Sequence, residues 1–223
     1  MTNPFLHRLW CVWRHDFRYL LFSQGACLQY LTFMLVITAL YMLLLPELLP
    51  LHASARVAML WVSVAVAGLL TTPLLLADDV HSGRLALLRI AGLLPMEIAS
   101  IKWSLHVLCS LIGSAVLVGL LAIVYALPGE EIKALLWMVV LATPLTSALC
   151  TLAAALGLGL KRHANLLVAI VAPLMILIFL LASTHVLCYT NHICAPFSVP
   201  LLLVAMLLVM LPGSWWLTGR LIS

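Results

Sequence analysis

The chain has 223 residues, of which 65% are hydrophobic and only 8% charged, against roughly 45–50% apolar and about 25% charged in soluble domains. That composition excludes a water-soluble globular domain, and at about 20 residues per bilayer crossing it leaves room for six spans with short loops. The formal charge of +4 is no argument for nucleic-acid binding, because in such a chain charge acts through its distribution on the two sides of a membrane.

Residues 1–22 lack the apolar core and A-x-A site of a cleavable signal and are expected to remain in the mature protein. Leu6, Leu9, Trp10, Trp13, Phe17, Leu20 and Leu21 recur at helical spacing on one face, with Arg8, Arg14, His15 and Arg18 on the other. The plain reading is a basic anchor that sets topology. The sharper one is an interfacial elbow helix lying flat before the first span.

Apolar stretches at 25–45, 56–77, 101–127, 134–160, 166–187 and 198–219 read as six transmembrane helices. With a cytoplasmic N-terminus, Arg8, Arg14, Arg18, Arg84, Arg89, Lys102, Lys161, Arg162 and Arg220 fall on the cytoplasmic side and only Arg56 and Lys133 on the other. Nine of eleven basic residues on one side fix the expected orientation, with both termini cytoplasmic. The tryptophans agree: Trp61 and Trp137 fall near outer ends, Trp103, Trp215 and Trp216 near inner ends.

The longest loop, 78–100, is expected to be cytoplasmic. It opens on Asp78, Asp79, His81, Ser82, Gly83 and Arg84 and continues through Leu85, Leu87, Leu88 and Ile90 to Pro95. A short amphipathic helix after an acidic, glycine-containing turn can dock into a partner's groove or adsorb to the membrane surface. The docking reading has Gly83 make the turn and Leu85 with Leu88 pack against an ATPase, while Asp78, Asp79 and Arg84 supply charged contacts.

Within the spans, Lys102 and His106, one helical turn apart, are the candidate functional residues, because ionisable groups in a membrane carry that presumption; a snorkelling or hydrogen-bonded histidine is the plain alternative. No zinc-protease motif, nucleophile elbow or phosphate loop is present, so no catalytic residue is assigned and the chain cannot hydrolyse ATP alone. Asp78, Asp79 and His81 do not amount to a metal site, which needs about four ligands and a supporting shell. Cys188 and Cys194 flank an outer loop where an oxidising compartment permits a disulfide. His192 between them lacks the C-x-x-C-H context of haem attachment.

The stretch DDVHSGRLALLRIAGLLPMEIASIKW, the Thr143-Pro144 pair and GLGLKRHANLLVAIVAPL resemble the CcmB family of haem exporter B permeases over nearly the whole length. Matching positions are Asp78, Asp79, Gly83, Leu85, Pro95, Lys102, His106 and the run Gly159, Leu160, Lys161, Arg162. Ala86 stands where the family pattern has glutamate, and His163-Ala164 where it has two glycines. The resemblance implies an all-α, ABC-2-like permease with an elbow helix and a cytoplasmic coupling helix, residing in the bacterial inner membrane. It further implies a separate ATPase, CcmA, that binds ATP and Mg, with the membrane proteins CcmC and CcmD and the periplasmic haem chaperone CcmE as further partners. Haem is then handled by the complex, and no cofactor is bound directly by this chain: Trp215-Trp216 is not followed by the aspartate of the haem-handling motif that belongs to CcmC. An ABC-2-like exporter permease for a lipid or glycan is the alternative.

Overall fold

The computed structural model describes residues 4–22, 26–44, 53–159, 164–190 and 198–222. Among the described residues the chain is helical throughout, in the order α1 (Pro4–Phe22), α2 (Ala26–Leu44), α3 (Ala53–Thr71), α4 (Leu74–His81), α5 (Arg84–Ile90), α6 (Pro95–Tyr125), α7 (Gly129–Gly159), α8 (Ala164–Thr190) and α9 (Ser198–Ile222). Five helices are long and apolar enough to cross a membrane, at Ser54–Thr71, Pro95–Tyr125, Gly129–Gly157, Val171–Thr190 and Val199–Leu221. A shorter apolar segment, Leu28–Leu43, lies on α2. The 19 residues of α2 give about 28 Å of helix, close to the roughly 30 Å hydrocarbon thickness. The protein is an all-α membrane protein.

The most buried span is α7, which packs against α6, α8 and α9. Ala142, Ala148, Ala153, Ala154 and Ala155 are buried along it, and small side chains of this kind let neighbouring backbones approach where no hydrophobic drive separates helix from lipid. Gly113 on α6 serves the same end, since a Cβ there would meet Tyr30 at 3.0 Å and Leu31 at 3.1 Å on α2.

Two expected boundaries move. The second span, expected over 56–77, breaks at Thr71, and the chain restarts as α4 after Pro73. Pro73 has no N–H to continue the ladder, and the Thr71 and Thr72 hydroxyls donate to the carbonyls of Ala67 and Gly68 at 2.8 and 2.7 Å. The third span starts at Pro95 and not near 101, because proline suits the first helical position and the Glu97 carboxylate accepts the Leu94 N–H at 2.9 Å. The segment 78–100 is therefore largely helical. It contains the last turn of α4, all of α5 and the first turns of α6.

Candidate functional site

The chain's chemistry-bearing residues gather where α1, α4, α5 and α6 meet at one end of the bundle. On α1, Leu9, Val12, Trp13 and Phe17 pack onto Leu93, Ile98, Ile101 and Leu105. Asp16 falls on the same helical stripe and is only 2% exposed. It forms ion pairs with Lys102 of α6, at 3.1 Å, and with Arg84, the first residue of α5. Asp79, buried near the end of α4, pairs with the same two cations, with Lys102 directly and with Arg84 at 3.6 Å. Two carboxylates and two cations thus close a neutral four-residue crossing. Burying any one of these charges alone would cost several kcal/mol, on the order of the stability of a whole domain; shared partners make their burial tolerable.

Asp79 sits near the C-terminal end of α4, where the helix dipole disfavours a negative charge. Lys102 and Arg84 offset that cost. Asp79 is thereby engaged inside the chain. Asp78 lies on α4 with its side chain outside those described, and of the run 159–162 only Gly159 falls among the described residues.

Between α4 and α5 the chain turns on Gly83, at φ 69° and ψ 8°. A Cβ built there would meet nothing within 4 Å, so the glycine answers a conformational need and not a steric one. At its other end α5 stops on Gly92, at φ 85°. Leu93 N–H donates to Leu88 O at 3.2 Å and Gly92 N–H to Arg89 O at 2.9 Å, the paired bonds of a Schellman stop, with Leu93 buried beyond it. These two glycine turns hold α5 across the base of α6.

The helix has two apolar faces with different fates. Leu85 and Leu88 turn inward onto the Leu93 and Ile98 cluster. Leu87 and Ile90 stand out at 64% and 82% exposure. Helical spacing puts Leu85 and Leu88 on one face, and that face lies partly buried against the chain's own core.

Lys102 and His106 do not form one site. Lys102 belongs to the ion crossing, whereas His106, buried deeper in α6, bonds through Nδ1 to Ser147 Oγ of α7 at 2.8 Å and meets the Tyr30 ring edge-on at 6.1 Å. Among the described residues no group of three or more His, Cys, Asp or Glu is placed to hold a metal ion. At the opposite end of the bundle Arg56 of α3 forms a two-pronged ion pair with buried Glu131 of α7, at 3.0 and 2.7 Å. Cys188, near the end of α8, is disulfide-bonded; Cys194 lies outside the described residues.

Asp16 and Glu131 escaped the sequence reading. Asp16 did leave a signal, as a lone carboxylate on the stripe of Leu9, Val12, Trp13 and Phe17 in an otherwise basic helix. Glu131 left none beyond lying near the start of a span. Compared with known families, residues 7–213 match the model of the family described as CcmB protein. No curated protein matches the chain.

Proposed function

The chain belongs to the CcmB protein family, and from that premise we propose that α5 is the element through which a separate ATPase drives it. The family supports a multi-pass inner-membrane permease component of the ABC-type system for cytochrome c maturation, and we read its ATPase partner as a different polypeptide. A cytoplasmic ATPase, CcmA, binds ATP and Mg and docks on the exposed face of α5. Its nucleotide cycle moves α5, and with it α1 and the base of α6. The complex with CcmC and CcmD uses that movement to release the haem-loaded periplasmic chaperone CcmE, and this chain holds no cofactor of its own.

The observation that carries this reading is the exposure of Leu87 and Ile90 on a helix whose other face and both ends are fixed to the rest of the chain. Apolar side chains held outward on a rigid short helix form a small contact for a groove. The charge crossing then makes α5 a lever: Arg84 ties it to α1 and α4, and Lys102 ties both acids to the base of α6.

The test is co-purification of the ATPase with Leu87→Asp and Ile90→Asp, alongside membrane expression and the yield of holocytochrome c. A charge forced into a desolvated apolar contact costs a few kcal/mol, so both variants should insert normally, lose the ATPase and fail in cytochrome assembly. If they insert, keep the ATPase and still support assembly, α5 is not the coupling element.

A further inference from the structure

We propose that Tyr30 of α2 and His106 of α6 form a two-position hydrogen-bond joint inside the bundle, in which the Tyr30 hydroxyl passes between the serines of α6 and His106 Nε2. The joint lies where α2, α6 and α7 meet. His106, Ser110 and Ser114 follow one another at four-residue steps along one side of α6, and all three are buried. His106 Nδ1 is bonded to Ser147 Oγ of α7 at 2.8 Å. The Tyr30 ring meets the imidazole edge-on with centroids 6.1 Å apart, and its hydroxyl lies beside Ser110 and Ser114.

Hydrogen-bond accounting singles out this layer. The buried hydroxyls of Thr143, Thr146 and Thr151 on α7 donate to carbonyls of their own helix at 2.8, 3.0 and 3.0 Å, so they need no further partner. The Tyr30 hydroxyl, His106 Nε2 and Ser114 Oγ are as well shielded, yet none closes a hydrogen bond of full geometry among the described residues. Polar atoms left unbonded in a protein interior are costly, and the membrane offers no water to relieve them. Two of the three are complementary. With Nδ1–H donating to Ser147, Nε2 of the neutral ring is a bare acceptor, and the phenol O–H is the donor it lacks. A phenol bonded to an imidazole nitrogen sets the two ring centroids roughly 6–7 Å apart. The separation is therefore already suitable, and a turn of the Tyr30 side chain redirects the hydroxyl.

Gly113 seats the ring. A Cβ there would stand 3.0 Å from Tyr30 Cε1, so the phenol lies directly against α6. With the hydroxyl on the serines, α2 is tied to α6 alone. With the hydroxyl on Nε2, a chain of hydrogen bonds runs from Tyr30 through the imidazole to Ser147 and ties α2 through to α7. The two positions thus differ in which spans move together. Since α2 begins four residues after α1 ends, a displacement of α1 turns the helix that carries Tyr30. The joint rests on these contacts and not on the coupling role of α5.

Nitrogen NMR of the full-length protein in bilayers, labelled with 15N-histidine, reads the imidazole directly, with His106 assigned by the loss of its signals in His106→Gln. Nδ1 should carry the proton. Nε2 should give two signals, one bare and one hydrogen-bonded, or a single averaged signal that shifts with temperature. Tyr30→Phe keeps the ring and removes only the hydroxyl, and should leave the bare signal alone. Ser110→Ala combined with Ser114→Ala removes the first position and should leave only the hydrogen-bonded signal; this variant decides the matter if Tyr30→Phe does not insert. One Nε2 signal that is constant with temperature and the same in every variant would overturn the proposal, as would a proton on Nε2. Because the measurement needs no ATPase, failure of α5 as the coupling element would leave its result unchanged.

Discussion

Asp16 on α1 lies 3.1 Å from Lys102 at the base of α6, and each of the two also pairs with a residue at or just before the start of α5, Asp16 with Arg84 and Lys102 with Asp79. The elbow is thus joined by charge to the segment that faces the cytoplasmic ATPase in the proposed function. An amphipathic helix lying on a bilayer needs no buried carboxylate; one that must move with α5 gains by having it.

Removing Asp16 leaves Lys102 and Arg84 with a single carboxylate between them. Asp16→Asn is expected to destabilise the protein by about 3 kcal/mol, the lower end of the cost of breaking a buried pair, because Arg84 and Lys102 keep some contact with solvent. Asp16→Leu combined with Lys102→Met keeps the remaining Asp79 and Arg84 neutral and should recover most of the loss. Denaturant unfolding in micelles of Asp16→Leu, Lys102→Met and the double variant measures the coupling. Additive effects would show that the two residues stabilise independently.

Gly83 is held in the left-handed region with open space around it. Gly83→Ala is therefore expected to cost about 1 kcal/mol through backbone strain alone, and Gly83→Asn less, since asparagine tolerates that region better. The loss should be local, appearing as faster amide hydrogen exchange over α5 with the spans unchanged. Wild-type exchange in Gly83→Ala would mean that the turn relaxes freely and does not position α5.

What the sequence made legible, and what it did not, divides along physical lines. Glycine and proline report backbone conformation locally, so the Gly83 turn and Pro95 as a helix start could be read one residue at a time. Apolar content reports burial in lipid, so each expected span overlaps an apolar helix, five of them long enough to cross a membrane, although the second ends and the third begins about six residues earlier than expected. Direction was not legible: Leu85 and Leu88 share a face with any helical ruler, but which way that face turns depends on Asp16, far away in sequence. The role of Asp79 was hidden for the same reason, since an acid next to a loop reads as solvated until its cations are placed in space.

Glu131 offers an independent comparison at the other end of the bundle. Its two-pronged bond with Arg56 is buried, so Glu131→Gln should cost about 3 kcal/mol by breaking a buried, charge-assisted pair. Arg56→Met with Glu131→Met should be close to neutral. The neighbouring Lys133 and Glu130 pair, at 2.9 Å, is largely exposed on both sides, and Lys133→Ala should leave the unfolding midpoint unchanged. A midpoint that moves as much for Lys133→Ala as for Glu131→Gln would show that burial is not what separates these pairs.

Orientation in the membrane follows from joining two observations at that same end. The Tyr189 hydroxyl donates to Glu130 at 3.4 Å, which places the end of α8, and with it disulfide-bonded Cys188, beside the start of α7. Disulfides persist in oxidising compartments, so this end is expected to face the periplasm and the charge crossing the cytoplasm, in line with the excess of basic residues there. Cys194 is the expected partner of Cys188, and non-reducing digestion with mass spectrometry should recover peptides joined at those two positions. Cys11 is exposed on α1 and serves as the reporter of the opposite side. An impermeant maleimide should label it in inverted vesicles and not in intact spheroplasts. Labelling of Cys11 from the periplasmic side would reverse the orientation, place α5 out of reach of a cytoplasmic ATPase and remove the basis for the coupling reading.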